Sequence, residues 1–294
     1  MTPLGVSRTL NRPVKKRSFL NIVGVDLGGG KSKNTAVATL RVDPHACATV
    51  VDLSPLGGRR PLYDAALTEM LRSFGDGSLI CIDAPLTLPP CLRCQEPVCP
   101  GQADCVDPAV VDMRARATEA TEGSREGRRG KPLVTPYTQR PTEVHLLYER
   151  GLVLREALGQ GTGPLAARAT HLVRALADRF HLNENLIEVS PHATLGALGF
   201  DAEYKKHVFE RETRAHVLEE LSSELRFGPG MWRESCVQND HLFEAVICAY
   251  TGYLWARDGW SEAAAIGSEA ARAGWIWVPP AVATSAVPRL SAKR

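Results

Sequence analysis

Long apolar runs and an excess of charge of one sign are both missing from this 294-residue sequence. No apolar stretch approaches the ~18 residues that a membrane-spanning helix requires. The N-terminal segment also has no apolar core of the kind found in secretory signal peptides. We therefore expect a cytoplasmic protein with no membrane partner. The formal net charge of +2 argues neither for nor against a polyanionic partner.

Two catalytic signatures are absent as well. The chain contains no G-x-G-x-x-G dinucleotide motif, which argues against a nicotinamide-dependent enzyme. It contains no G-x-S-x-G elbow, so a serine hydrolase has no support.

What is present is the composition of an ordinary globular protein, with 44% hydrophobic and 23% charged residues. A chain of this length can bury a sizeable core. Residues 1–20 carry five basic residues and no acid, which predicts a flexible basic tail. We expect one domain over residues 21–280 and a second flexible tail over residues 281–294.

The order of apolar segments predicts the fold class. Three strands joined by short turns, a helix and a buried strand come first: NIVGVDL, NTAVATLRV, ACATVVDL, PLYDAALTEMLRSFG and SLICIDAP. Helices near 141–151 and 164–180, a strand ending at Glu188 and further helices follow, and GWIWVPP closes the domain as an extended edge. This order is that of an α/β, ribonuclease H-like mixed sheet: an antiparallel meander plus parallel strands, flanked by helices.

An insertion at about residues 86–136 interrupts this pattern. Its second half is charged and glycine-rich, and predicts a flexible, net-basic loop between Arg114 and Lys131. Its first half contains Cys91, Cys94, Cys99 and Cys105, in the spacing C-x2-C-x4-C-x5-C. Four thiolates from one short loop can close a tetrahedral Zn²⁺ site. An iron–sulfur cluster, unliganded thiols and two disulfides remain alternatives to structural zinc.

Carboxylates stand where several apolar elements end or begin. Asp26 follows IVGV, Asp83 follows LICI, Glu188 follows NLI, and Asp240 opens a helix that carries Glu244 four residues later. In a ribonuclease H-like sheet Asp26 and Asp83 lie on adjacent strands. Carboxylates that converge repel one another unless a cation lies between them, and their oxygen ligands suit Mg²⁺ or Mn²⁺.

Each of these acids also has a structural interpretation. Asp240 is a suitable N-cap, Glu188 can cap the turn that follows it, and Asp26 stands at a glycine turn where an acid is common. Asp83 is the hardest to explain in this way, because a buried strand rarely ends in a charge without a partner.

Five segments together resemble the domain-of-unknown-function 429 family, whose members are predicted nucleases of the ribonuclease H-like superfamily. They are GVDLGGGKSKNTAVA, CIDAPLTLPPC, PYTQRPTEVHL, IEVSPHATLGALG and DHLFEAVICAY, spread over about residues 21–279. The resemblance implies a metal-dependent phosphodiesterase. Its acidic catalytic positions would be Asp26, Asp83, Glu188, Asp240 and Glu244, with Asp26, Asp83 and Asp240 as ligands of Mg²⁺ or Mn²⁺.

Basic residues near these acids are candidates for substrate binding. Within R-P-T-E, we assign Arg140 to a substrate phosphate and Glu143 to an outer-shell or ligand role. Lys31 and Lys33, in the glycine turn after Asp26, are assigned to the same phosphate. His192 and His241 each lie beside one of these motifs, so we expect them to be neighbours of the site.

The predicted function is therefore hydrolysis of nucleic-acid phosphodiester bonds, in DNA or RNA, by metal-activated water. Two other classes compete with it. An actin-like or sugar-kinase-like phosphotransferase also has an Asp-Leu-Gly-Gly turn, but it needs a second lobe with another phosphate turn. A non-catalytic scaffold could bind nucleic acid through the cysteine segment and the basic loop.

Overall fold

The computed structural model describes residues 17–29, 34–43, 47–55, 61–121, 133–200, 210–260 and 274–280. Their strands form one seven-stranded sheet in the order β6-β3-β2-β1-β4-β5-β7. The strands are β1 Asn21–Asp26, β2 Ala36–Val42, β3 Ala48–Ser54, β4 Ser78–Asp83, β5 Leu186–Val189, β6 Leu225–Phe227 and β7 Ile276–Trp277.

The sheet is mixed. β1, β2 and β3 are an antiparallel meander, whereas β4 runs parallel to β1, and β5 and β7 continue the parallel part. At the opposite edge β6 runs parallel to β3. A parallel pair needs a crossover connection, and helix α1 (Asp64–Ser73) supplies it between β3 and β4. The α/β, ribonuclease H-like arrangement predicted from the order of segments is confirmed at this level.

The remaining helices flank the sheet or build the segment between β4 and β5. They are α2 Pro90–Arg93, α3 Pro108–Thr121, α4 Pro141–Arg150, α5 Gly163–Leu176, α6 Pro191–Ala197, α7 Glu210–Glu220, α8 Arg233–Gln238 and α9 Asp240–Asp258, and a 3-10 turn spans Leu221–Ser223. None of the described helices combines the length and apolar character needed to cross a bilayer.

Alternating side chains of the central strands pack on two different layers. On one face Val23 and Val25 of β1 join Leu67 of α1 and Leu172 of α5. On the other face the neighbouring Ile22 joins the apolar side of α9. This alternation is the expected consequence of strand geometry. It also determines on which face of the sheet the acid at the end of each strand lies.

Two glycines allow α9 to lie directly on the sheet. A Cβ atom on Gly24 of β1 would fall well inside contact distance of the backbone oxygen of Ala245 and the backbone nitrogen of Ala249. A Cβ atom on Gly252 of α9 would collide with the sulfur of Cys81 and lie 3.0 Å from Ile22 Cγ2. The backbones approach each other so closely only because neither residue carries a side chain.

The insertion and the tails differ in part from their prediction. Residues 114–121, expected to begin a flexible loop, form the second half of helix α3, and the rest of that loop lies outside the described residues. Arg17, expected in a free tail, places its guanidinium 3.8 Å from the ring centre of Trp255. Most of the N-terminal tail and all of the C-terminal one lie outside the described residues as well.

Candidate metal centre

Two acidic side chains end adjacent parallel strands. Asp26 is the last residue of β1 and Asp83 the last of β4, and the two are direct partners in the parallel register. Neighbouring strands are about 4.8 Å apart, so the two carboxylates lie side by side. Gly24 and Cys81 face α9, and side chains two positions apart on a strand point to the same face. Asp26 and Asp83 therefore both project from the face that α9 covers. Asp26 is 7% exposed and Asp83 is half-buried.

The first turn of α9 contributes the other groups. Asn239 caps this helix, accepting hydrogen bonds from the backbone N–H groups of His241 and Leu242. His241 and Glu244 are three residues apart and therefore lie on one side of the helix. Three potential ligand atoms, one from each of Asp26, His241 and Glu244, lie within 4.8 Å of one another. The distance between His241 Nδ1 and Asp26 Oδ2 is 2.6 Å.

The charges at this centre act on one another strongly. The hydrogen bond to Asp26 raises the pKa of His241, and the charges of Asp26, Asp240 and Glu244 act in the same direction against the opposing effect of burial. Beneath the centre, burial raises the pKa of Cys248, and the charges of Asp83, Asp26 and Glu244 raise it further. Three carboxylates thus converge on one region, with His241 as the partner of Asp26.

The donor set fits a divalent cation. Two carboxylates and an imidazole would hold the ion through Asp26, Glu244 and His241, with Asp83 beside them. Oxygen ligands suit Mg²⁺ and Mn²⁺, whereas imidazole suits first-row transition metals. Of the two predicted ions, this mixed set therefore favours Mn²⁺. The ion would also remove the mutual repulsion of the acids.

The structure differs from the predicted ligand set at Asp240. Asp240 is the first residue of α9, half-exposed, and is not in the close group. His241, expected only as a neighbour of the site, takes that place. The three-residue spacing of His241 and Glu244 in the sequence is consistent with this arrangement, and the role of Asp240 as a ligand stays a prediction. His192 is exposed on α6 and is likewise outside the group.

Glu188 belongs to a different cluster because of strand parity. Its neighbours Ile187 and Val189 pack on the α9 side, so Glu188 projects to the opposite face of the sheet. There Arg140 Nη1 and Nη2 donate to its two carboxylate oxygens at 2.8 and 2.6 Å. The backbone N–H of Leu86 donates to the same carboxylate at 2.9 Å. This side chain does not join the carboxylates of the candidate metal centre.

Arg140 is correspondingly engaged in the fold. Its side chain is fully buried, and besides Glu188 it donates to Glu143 Oε1 from Nε and Nη2 at 2.9 and 2.6 Å and to Thr87 Oγ1 at 3.0 Å. Glu143 also accepts from the backbone N–H of Arg140 at 2.6 Å, which gives the amide at the start of α4 a partner. With its N–H groups occupied, Arg140 has a structural role here instead of the predicted contact to substrate phosphate, and Glu143 shares that role.

The glycine turn after Asp26 is held by a residue that sequence reasoning missed. Arg168 of α5 is buried and donates to the backbone oxygen of Gly28 at 2.6 Å and to Thr35 Oγ1 at 2.7 Å. A single arginine on an amphipathic helix carries no sequence signal for such a contact. Lys31 and Lys33, assigned to phosphate, lie outside the described residues.

The four clustered cysteines are free thiols, exposed at Cys91, Cys94 and Cys99 and half-buried at Cys105. Burial raises the pKa of Cys91, and the charges of Cys105, Cys99 and Cys94 raise it further. Among the described residues they do not form a group as close as that of Asp26, His241 and Glu244.

Fold and site together define a mixed α/β protein with a carboxylate–histidine centre at the carboxyl ends of its parallel strands. The chain belongs to the family described as protein of unknown function (DUF429), whose model matches residues 24–265. Searches of curated proteins and of solved structures found no match.

Proposed function

We propose that this protein is a metal-dependent phosphodiesterase that hydrolyses nucleic acid. The observation that carries the proposal is the convergence of Asp26, Asp83 and Glu244, from two adjacent strands and one helix, around His241. Such a cluster of mostly buried acids is costly without a cation, and divalent ions held by carboxylates are the usual device for cleaving phosphodiesters.

The residues divide between holding the ion and handling the proton. Asp26, Glu244 and His241 would hold the divalent cation, which supplies a nucleophilic water and neutralises charge on the scissile phosphate. Asp83 is half-buried and lies beside Asp26. This position supports a role for Asp83 as the acceptor of a proton from the attacking water.

A kinase-like activity has less support. That class closes on its nucleotide between two similar lobes, whereas the strands of the described residues form a single sheet. A purely structural role is also weaker, because it leaves the crowding of the acids unexplained. Nucleic acid as partner and the cytoplasm as location belong to the same proposal. Eight free cysteines are typical of a reducing compartment.

The test is calorimetric titration of the purified protein with Mn²⁺ and Mg²⁺, followed by hydrolysis assays on single- and double-stranded DNA and RNA. We expect Asp26→Asn and Glu244→Gln to weaken Mn²⁺ binding at least about tenfold and to lose metal-dependent hydrolysis. Asp258→Asn, at the far end of α9, is the matched control and should bind like the wild type.

Thermal stability and the pattern of lost activities distinguish failure of the proposed metal centre from failure of the proposed reaction. Glu244→Gln should raise the melting temperature of the metal-free protein, because one of three crowded charges is removed, and should lose the additional stabilisation by Mn²⁺. Unchanged Mn²⁺ binding in both site variants would contradict the proposed centre. Metal binding without hydrolysis of any nucleic acid would contradict the proposed reaction, and a requirement for ATP would favour phosphotransfer.

A further inference from the structure

The segment Cys91–Cys105 is folded without a core of its own. All ten residues from Cys91 to Pro100 are exposed, including Val98 at 79%, and Val106 just beyond is exposed at 85%. Cysteine is otherwise among the most buried residue types. Cys81, Cys236 and Cys248 of this chain follow that rule, each with no exposed surface. Three exposed thiols and one half-buried thiol in fifteen positions therefore need an explanation other than packing.

The local backbone is arranged around the sulfur atoms. Cys91 lies in α2 and Cys94 is its C-cap, so the first two thiols are three positions apart on one helical turn. The backbone N–H of Glu96, two residues after Cys94, donates to Cys94 Sγ at 3.5 Å. Hydrogen bonds from neighbouring groups commonly orient the ligands of a metal site.

Both ends of the segment are attached to the rest of the insertion by hydrogen bonds. At the first end the N–H of Cys91 donates to the backbone oxygen of Pro136 at 3.1 Å. At the second end Arg114 of α3 donates to the backbone oxygens of Gln102 and Cys105 at 2.7 and 2.9 Å. Gln102 Nε2 also donates to the backbone oxygen of Val134 at 2.8 Å, so residues 134–136 contact both the first and the second part of the segment.

We propose that Cys91, Cys94, Cys99 and Cys105 bind one structural Zn²⁺ ion through their four sulfurs. Thiolate ligands select a soft or borderline metal, so this site is distinct in chemistry from the oxygen-rich centre at Asp26. Binding releases the thiol protons and draws the exposed segment closed around the ion. The inference does not depend on the proposed phosphodiesterase activity.

The ion would also order the chain next to the candidate metal centre. Only seven residues separate Asp83 from Cys91, and among them Ala84, Leu86 and Pro89 are buried. The N–H of Leu86 is held by Glu188. A closed zinc loop at the end of this short, anchored connection would form a fixed wall beside Asp83.

The experiment is metal analysis of the whole chain, purified under reducing conditions without added metal. Wild-type protein should contain about one zinc ion per chain. Cys91→Ser with Cys94→Ser should lose it, while Cys47→Ser, a half-buried thiol outside the segment, should keep it. Replacement of zinc by Co²⁺ should give the intense visible absorption of a tetrahedral thiolate site in the wild type and in Cys47→Ser only.

Protection from proteolysis supplies a second measurement if the double variant is poorly folded. Removal of zinc from wild-type protein by a chelator should expose residues 91–105 to limited proteolysis, and added Zn²⁺ should restore protection. Iron instead of zinc, zinc retained by the double variant, or disulfides in place of eight titratable thiols would each overturn the proposal.

Discussion

At the residue scale, Arg140 shows how one buried cation ties three parts of the chain together. It joins the start of α4, the end of β5 and the loop after Asp83 through Glu143, Glu188 and Thr87. Burial raises the pKa of Glu143 even beside this guanidinium. Arg140 is the shared cationic partner of these two buried carboxylates.

We expect Arg140→Met to lower the free energy of unfolding by about 3–5 kcal/mol, because two buried carboxylates lose their partner. Urea denaturation measures this change. Arg72→Met, which removes the exposed pair of Arg72 with Asp178, should cost no more than about 1 kcal/mol. Equal losses in the free energy of unfolding would show that the buried cluster stabilises the fold no more than an exposed ion pair does.

His145 predicts a dependence of stability on pH. Its pKa is lowered from 6.5 to about 4 by burial and then by the charges of Arg116 and Arg150, and its ring lies against Trp275. Glu149 Oε1 lies 3.1 Å from His145 Nδ1, but that carboxylate also pairs with Arg116. Burial and the two arginines therefore dominate.

Below pH 6.5 His145 becomes protonated in the unfolded chain, whereas in the folded chain it stays neutral until about pH 4. The stabilisation from neutral His145 is thus complete above pH 6.5 and is lost as the pH falls. We expect a loss of about 1–2 kcal/mol between pH 7 and pH 5 relative to His145→Gln, after allowance for solvent screening. Denaturation curves at both pH values measure it, and parallel losses in the two proteins would exclude His145 as the cause.

At the scale of elements, the contact between α9 and the sheet sets the position of His241 and Glu244. Alanine normally stabilises a helix relative to glycine by about 1 kcal/mol, but Gly252→Ala should instead destabilise this protein by about 1–3 kcal/mol, because its Cβ meets Cys81 and Ile22. Gly24→Ala should cost more and also weaken Mn²⁺ binding, since its Cβ meets the helix backbone itself. Thermal unfolding and metal titration measure both effects, with Gly75→Ala, which has open space, as the neutral control.

An apolar run that ends in an acid marks the end of a strand in this sequence. The sequence therefore predicts that Asp26 and Asp83 end neighbouring strands, and their pairing in the sheet confirms it. The sequence did not indicate α3 or α8, because neither has a clear apolar stripe, or the three residues of β6. It also could not reveal that Glu188 lies one position out of phase with Asp83. Register between strands distant in sequence depends on tertiary packing, and a shift of one residue sends a side chain to the other face.

At the scale of the whole molecule, one edge of the sheet is formed by β7, which lies near the C-terminal end of the described residues. β7 adds to β5, and its Trp277 packs against Trp255 of α9 with ring centres 5.4 Å apart. The N–H of Ile276 donates to Thr142 Oγ1 at 3.0 Å. The C-terminal strand is therefore part of the core.

A chain ending at Trp260 should lose at least about 3 kcal/mol of stability, because buried tryptophan surface and an edge strand are removed. A chain ending at Pro280 keeps every described residue and should match the full-length protein. Circular dichroism during urea unfolding distinguishes them. A shorter chain as stable as the longer one would show that β7 is dispensable.

The candidate metal centre has a consequence for the order of events during synthesis. The hydrogen bond between His241 and Asp26 joins residues 215 positions apart. Both strand acids leave the ribosome long before α9 is made, and contacts of such long range form late. A nascent chain therefore carries Asp26 and Asp83 without His241 and Glu244. The candidate metal centre can therefore assemble only after the chain has been made as far as α9.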